Sequence, residues 1–326
     1  MKEEVINSVM QSRGVMVLIA IGAFVLSFYE WEMMPLPDEC ATSGLLGNLV
    51  TIKIVDYPII ACVYNYICMA LIGVSMLLLN KRFLFLGNMS SLFVSLFLIF
   101  ETMIPSVGGS FSIGTTMALV LMCLLYRLYA AYKNKENRAR IFMIFAILSA
   151  LAAVEISAVY AIPLFWLGVW QLRALSVKSA TAAVVGLATP YWIIFGLGIM
   201  PVDSLQFPMP TPIWELETIP HWALAVVFVV FVTIMSLTMN FFTLMKYKLR
   251  TRLYNSFTIL FMLWSIIMII IDSLNAEVYI TVLMACASMQ ISHLYSATDG
   301  KRRYILLLVL IALSLGITFI TSSYLV

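Results

Sequence analysis

From residue 14 to residue 323 the sequence runs through eleven apolar blocks, and Lys and Arg gather in every second gap between them. The blocks lie at 14–29, 57–79, 83–100, 112–128, 141–156, 159–172, 179–199, 222–244, 254–271, 278–297 and 304–323. A helix crosses a hydrocarbon core of about 30 Å with about 20 residues at 1.5 Å each, so blocks of this size read as spans. In lipid each backbone N–H and C=O must be bonded within the protein, and unbroken apolar runs satisfy that as helices. Barrel strands would alternate apolar and polar residues instead. The expected fold is an all-α polytopic transmembrane helix bundle of about 11 spans, with a short helical hairpin at 141–172 and a single integral membrane domain over residues 1–326. Composition agrees, since 63% of the residues are hydrophobic and 11% charged. Soluble domains carry roughly 25% charged residues, and disordered chains need low hydrophobicity.

The basic gaps set an orientation, because short cytoplasmic loops collect Lys and Arg. With the N-terminus inside, 18 of the 19 cationic residues fall on the cytoplasmic side, Lys53 being the exception. They cluster at Lys2 and Arg13, Lys81 and Arg82, Arg127 to Arg140, Arg173 and Lys178, Lys246 to Arg252, and Lys301 to Arg303. Eleven crossings then leave the C-terminus outside. The first block is expected to remain as an anchor, because Glu3 and Glu4 precede it and Glu30, Trp31 and Glu32 stand where a cleavage site would need small residues.

The same orientation puts 12 of the 16 acids outside. A surface poor in Lys and Arg needs acids for solubility, and that reading competes with an acidic outer cavity for a divalent cation or polar substrate. Four of the acids, Glu30, Glu32, Asp38 and Glu39, crowd the first outer loop beside Pro35 and Pro37, which deny the segment a helical continuation. Residues 45–56 read as an interfacial element in which Lys53 pairs with Asp56. The outer segment from Met200 to His221 holds five prolines and reads as a rigid lid or as part of the interfacial aromatic belt, and Pro190 is expected to kink its span.

Between Arg140 and Arg173 the chain must leave the basic side and return. Two arms of near 15 residues would each rise about 22 Å, less than the hydrocarbon thickness, and turn around Glu155, Ile156, Ser157 and Ala158. Glu155 is then a carboxylate below the outer surface. Such a group faces a partner or a wet cavity, caps a helix, or holds a proton, and it is a site candidate by default. Asn65, Asn88, Glu101, Asn240, Asn255, Gln290 and His293 are the other polar residues of the spans, read as interhelical hydrogen-bond partners.

The sequence shows no nucleotide loop, nucleophile elbow or Cys/His spacing, and its two histidines argue against a histidine metal site. No nucleic acid partner is expected, since topology accounts for the basic clusters.

From Asn80, Lys81 and Arg82, through the Arg127 to Arg140 turn and the short hairpin, to Thr189, Pro190, Tyr191 and Trp192, the chain resembles a family of uncharacterised integral membrane proteins common in the Bacteroidetes. That resemblance implies a bacterial inner membrane location and assigns no activity. Tyr126 to Arg140, Ile141 to Leu172, Arg173 to Lys178 and Ala180 to Trp192 also resemble, more distantly, the GT-C type of membrane glycosyltransferases. This second resemblance implies transfer onto a lipid-linked envelope glycan at the outer face. There a first-loop carboxylate, Glu30, Glu32, Asp38 or Glu39, would act as base or bind a divalent cation, and Glu155 would orient donor or metal. Lys53, Glu101 and His221 are the remaining candidates for substrate contact, toward a polyprenyl-linked glycan. The alternatives are a membrane transporter and a non-catalytic scaffold subunit with a protein partner that the sequence does not identify.

Overall fold

The computed structural model describes residues 12–33, 44–46, 58–83, 90–105, 107, 112–134, 138–201, 210–215, 220, 222–244, 248–297 and 301–323. Within them lie eleven α-helices and no strand. They are α1 (Arg13–Met33), α2 (Pro58–Phe83), α3 (Ser90–Glu101), α4 (Ile113–Tyr129), α5 (Arg138–Val154), α6 (Ala161–Gln171), α7 (Val177–Gly196), α8 (Ala223–Leu244), α9 (Leu249–Ile271), α10 (Ala276–Ala297) and α11 (Lys301–Ser323). Short 3-10 turns cover Ile156–Tyr160 and Ile213–Glu215. Among the described residues α2, α7, α9 and α10 are each long and apolar enough to cross a bilayer, and shorter apolar helices surround them. The chain is a multi-pass, membrane-type helix bundle.

The centre of the bundle is α10, buried without interruption from Val278 to Tyr295 and packed by α3, α4, α8 and α9. Its alanines and serines let neighbours approach closely, the usual means of helix association where lipid is as apolar as the side chains. At one such approach a Cβ on Gly114 of α4 would stand 2.6 Å from the Glu277 carbonyl oxygen, so only glycine fits there. Outer helices turn apolar side chains to the surroundings: Val177 is 82% exposed, Trp192 76% and Phe319 78%, as a lipid-facing shell requires.

Contacts across the bundle sort the helix ends into two groups. At one end Arg82 meets Tyr126, Arg140 bonds the Ala130 carbonyl, the Lys133 amide donates to Leu172, and Gln171 bonds Ser256. At the other end Asn65 donates to the Val107 carbonyl, Thr321 to Met103, and Trp264 to Tyr160. Each described cation belongs to a helix end or turn of the first group. Each described carboxylate whose side chain is placed, Glu101, Glu155, Asp272 and Glu277, belongs to the second.

The hairpin is present, with arms of unequal length. Helix α5 takes 17 residues and α6 only 11, because the 3-10 turn absorbs the residues between them. Pro163 then sits in the first turn of α6, where a missing N–H costs nothing. Pro190 lies inside α7, which runs on to Gly196.

Candidate outer carboxylate site

Helix α5 ends at Val154 because Glu155 leaves helical geometry, with φ −132° and ψ 112°, and caps the 3-10 turn that follows. Its Oε1 accepts the Ser157 hydroxyl at 2.9 Å and the Ser157 amide at 3.3 Å. The side chain is 2% exposed. Glu155 is thus buried as the sequence expected, and it takes the capping role that the sequence set against a functional one.

Asp272 does the equivalent work after α9, closing that helix at φ −128° and ψ 66°. It too is 2% exposed. The Asn275 amide donates to its Oδ1 at 3.0 Å, and the Tyr279 hydroxyl to its Oδ2 at 3.0 Å. Burial pushes the Asp272 carboxyl above the usual carboxylate range. The hydrogen bonds from Tyr279 and Asn275 draw it back in part, and the neighbouring Glu155 charge raises it further.

The two carboxylates are one structure. The Ser157 hydroxyl donates to Glu155, the Tyr279 hydroxyl donates to Asp272, and the Glu155 charge acts on Asp272, so the two acids are neighbours. Trp264 walls the group: its indole N–H donates to the Tyr160 carbonyl at 3.0 Å and its ring meets Tyr279 edge to face at 5.5 Å. From the far side, the Ser273 amide and hydroxyl both donate to the Thr211 carbonyl, at 2.8 and 2.9 Å, which ties the proline-rich segment to the site. The Tyr160 hydroxyl and the Thr211 hydroxyl are buried with no hydrogen-bond partner among the described residues.

The first acidic loop meets the same place. The Leu46 amide donates to the Ala153 carbonyl at 2.8 Å, two residues before Glu155. A Cβ on Gly44 would fall 2.1 Å from the Val154 carbonyl oxygen, so a residue with a side chain cannot occupy this position without displacing the loop.

Among the residues that the sequence nominated, Glu155 is therefore in a built site. Glu30 and Glu32 fall in the last turn of α1, with side chains outside the described part of the structure. Asp38, Glu39, Lys53 and His221 lie outside the described residues. Glu101 ends α3, is 2% exposed, and has both carboxyl oxygens buried without a hydrogen-bond partner among the described residues. It takes no part in the Glu155 and Asp272 network. No group of three or more His, Cys, Asp or Glu residues suited to a metal occurs among the described residues.

The sequence reading counted Asp272 among the outer acids without singling it out, named Ser157 as part of the hairpin turn alone, and passed over Asn275 and Tyr279. A signal was present. Asp272, Asn275 and Tyr279 follow a 3 and 4 spacing across the start of an apolar helix, which puts a cap and two donors on one side of the first turns.

No family model matches the chain, and no curated protein matches it. Among solved structures the chain is similar to the crystal structure of ArnT from Cupriavidus metallidurans bound to undecaprenyl phosphate, at 12% identity and a TM-score of 0.47. The match covers 88% of this chain and 61% of that one, so this chain spans less than two thirds of that protein's length.

Proposed function

We propose that the chain is a membrane-embedded transferase of the glycosyltransferase type, acting at the outer face on a lipid-linked envelope glycan, with Glu155 and Asp272 as its acid and base groups. The observation that carries this reading is the buried Glu155 and Asp272 pair, assembled from two helix ends far apart in sequence, each acid holding a hydroxyl donor, Ser157 on Glu155 and Tyr279 on Asp272. Paired carboxylates whose surroundings differ are the ordinary means of dividing acid and base work. Glu155 Oε1 is held by two donors from Ser157, which fixes the carboxylate where it would take the proton from an acceptor hydroxyl. Asp272, pushed toward its protonated form by burial, is suited to hold a proton.

Placement of the pair on the outer side rests on the positive-inside rule, applied to helix ends that sort into one basic and one acidic group. Glu30 and Glu32 of the last turn of α1, and Asp38 and Glu39, which precede Leu46 in the sequence, would supply further contacts to acceptor or cation. The cofactor is open, and a divalent cation would have to draw ligands from these acids, since the described residues offer two carboxylates at the site. The location expected is the bacterial inner membrane.

The test is mass spectrometry of lipid-linked and protein-linked envelope glycans in a strain lacking the chain, with and without the wild-type copy. A sugar missing from the glycans, or an accumulated lipid-linked donor, restored by the wild type, is the expected result. An unchanged glycan profile overturns the reading.

Glu101 favours a second reading, a carrier, because a carboxyl buried in a membrane bundle with no hydrogen-bond partner among the described residues is the group on which ion coupling would act. Proton-coupled flux in vesicles that is abolished by Glu101→Gln would select it.

A further inference from the structure

At the basic end of the bundle two arginines from distant helices converge on one aromatic platform. The Arg82 guanidinium lies 6.0 Å from the Phe83 ring centroid and 5.3 Å from that of Tyr126. The Arg250 guanidinium lies 5.8 Å from the same Phe83 ring, 5.8 Å from Tyr132 and 5.4 Å from Tyr254. Each is also held by a phenol, Arg82 donating to the Tyr126 oxygen at 2.6 Å and Arg250 Nε to the Tyr254 oxygen at 2.8 Å. The platform is fixed from below: Tyr129 and Tyr254 stack at 4.5 Å and exchange hydroxyl-to-carbonyl bonds at 2.8 and 3.1 Å.

Two like charges drawn to one ring repel each other, and no carboxylate among the described residues is bonded to either. Both side chains are exposed. Each guanidinium has five N–H donors, and the phenols take one apiece. The remaining donors form two forks of the geometry that binds a phosphate group in bidentate fashion. The arginines stand at the end of α2 and the start of α9, the level at which membrane helices meet headgroups. Leu78, one turn before Arg82, is 51% exposed and Leu249, next to Arg250, is 44% exposed. These apolar flanks suit acyl chains and give nothing to a soluble ion.

We propose that Arg82 and Arg250, set on the Phe83, Tyr126, Tyr132 and Tyr254 platform, bind the phosphate of an anionic phospholipid in the leaflet at the basic end. This site is separate from the acidic-end site and does not depend on the transferase reading.

Native mass spectrometry of the full chain in detergent, titrated with phosphatidylglycerol or phosphatidylcholine, tests it. Wild type is expected to take up phosphatidylglycerol saturably and about tenfold more tightly than phosphatidylcholine. The Arg82→Lys, Arg250→Lys double variant keeps both charges and loses the forks, and it should bind about tenfold more weakly. Arg138→Lys, an exposed cation of the same end, should bind as wild type does. Equal binding by wild type and the double lysine variant overturns the proposal. So does loss of lipid binding in inorganic phosphate at about 10 mM, which would assign the forks to a free anion. Should the lysine variant fail to fold, the Tyr126→Phe, Tyr254→Phe double variant decides: weaker lipid binding supports the built site, and unchanged binding overturns it.

Discussion

Asp272 differs from an ordinary surface aspartate in what it does to stability as pH changes. Its carboxyl is pushed above its ordinary value, chiefly by burial, so the folded chain holds this proton more tightly than the unfolded chain does. By linkage, the stabilisation is full below that ordinary value and is lost as pH rises through the elevated folded one. Thermal melts of the detergent-solubilised protein from about pH 4 to about pH 8 should therefore fall with rising pH. In Asp272→Asn that fall should flatten, because the amide is never ionised. An unchanged slope would remove the effect from this residue. Tyr279→Phe deletes the donor to Oδ2 and leaves a buried acceptor short of a bond, a loss of about 1–3 kcal/mol that denaturant or thermal unfolding would register.

At the scale of elements, the hairpin and the first loop are positioned by a single close contact. Gly44→Ala would put a methyl group into the Val154 carbonyl, at a cost of about 1–3 kcal/mol or by releasing the loop from the hairpin. Limited proteolysis of the loop between α1 and α2 should accelerate in that variant and should stay unchanged in Gly22→Ala, where an added Cβ meets nothing within 4 Å. The hairpin itself was legible in the sequence, because 32 residues between two basic turns permit few other paths. Glu155 was legible for the same reason, as a charge stranded at the tip. Its partner was not. Asp272 sits behind a different helix, and apolar periodicity reports which face is buried without naming which helix covers it. The unequal arms were also hidden, since they follow from where Glu155 caps the 3-10 turn rather than from hydropathy.

At the scale of the whole molecule, the alternation of charge and the sorting of helix ends make one prediction together. Trp214→Cys, at a position 73% exposed beside the acidic end, should react with an impermeant thiol reagent in intact spheroplasts. Lys178→Cys, exposed at the opposite end, should react only after permeabilisation. Both are made with Cys123, the exposed thiol among the described residues, and Cys40, next to Glu39 in the sequence, replaced by serine. Reversed labelling would invert the bundle and place the carboxylate pair inside the cell. The basic gaps made this architecture readable before any coordinate, because topology is written in charge. Chemistry at the acidic end depends on contacts between residues more than a hundred positions apart, and no local pattern records those.

The proposed transfer has Glu155 and Asp272 work as one unit. Its most direct test measures the envelope glycan that the deletion strain lacks, in strains carrying wild type, Glu155→Gln, Asp272→Asn or both, at matched membrane levels. Each single variant is expected to cut that glycan by about 10²-fold or more, and the double variant to cut it no further than the worse single one, as groups acting in a common step do. Wild-type amounts of glycan in both single variants would contradict the account.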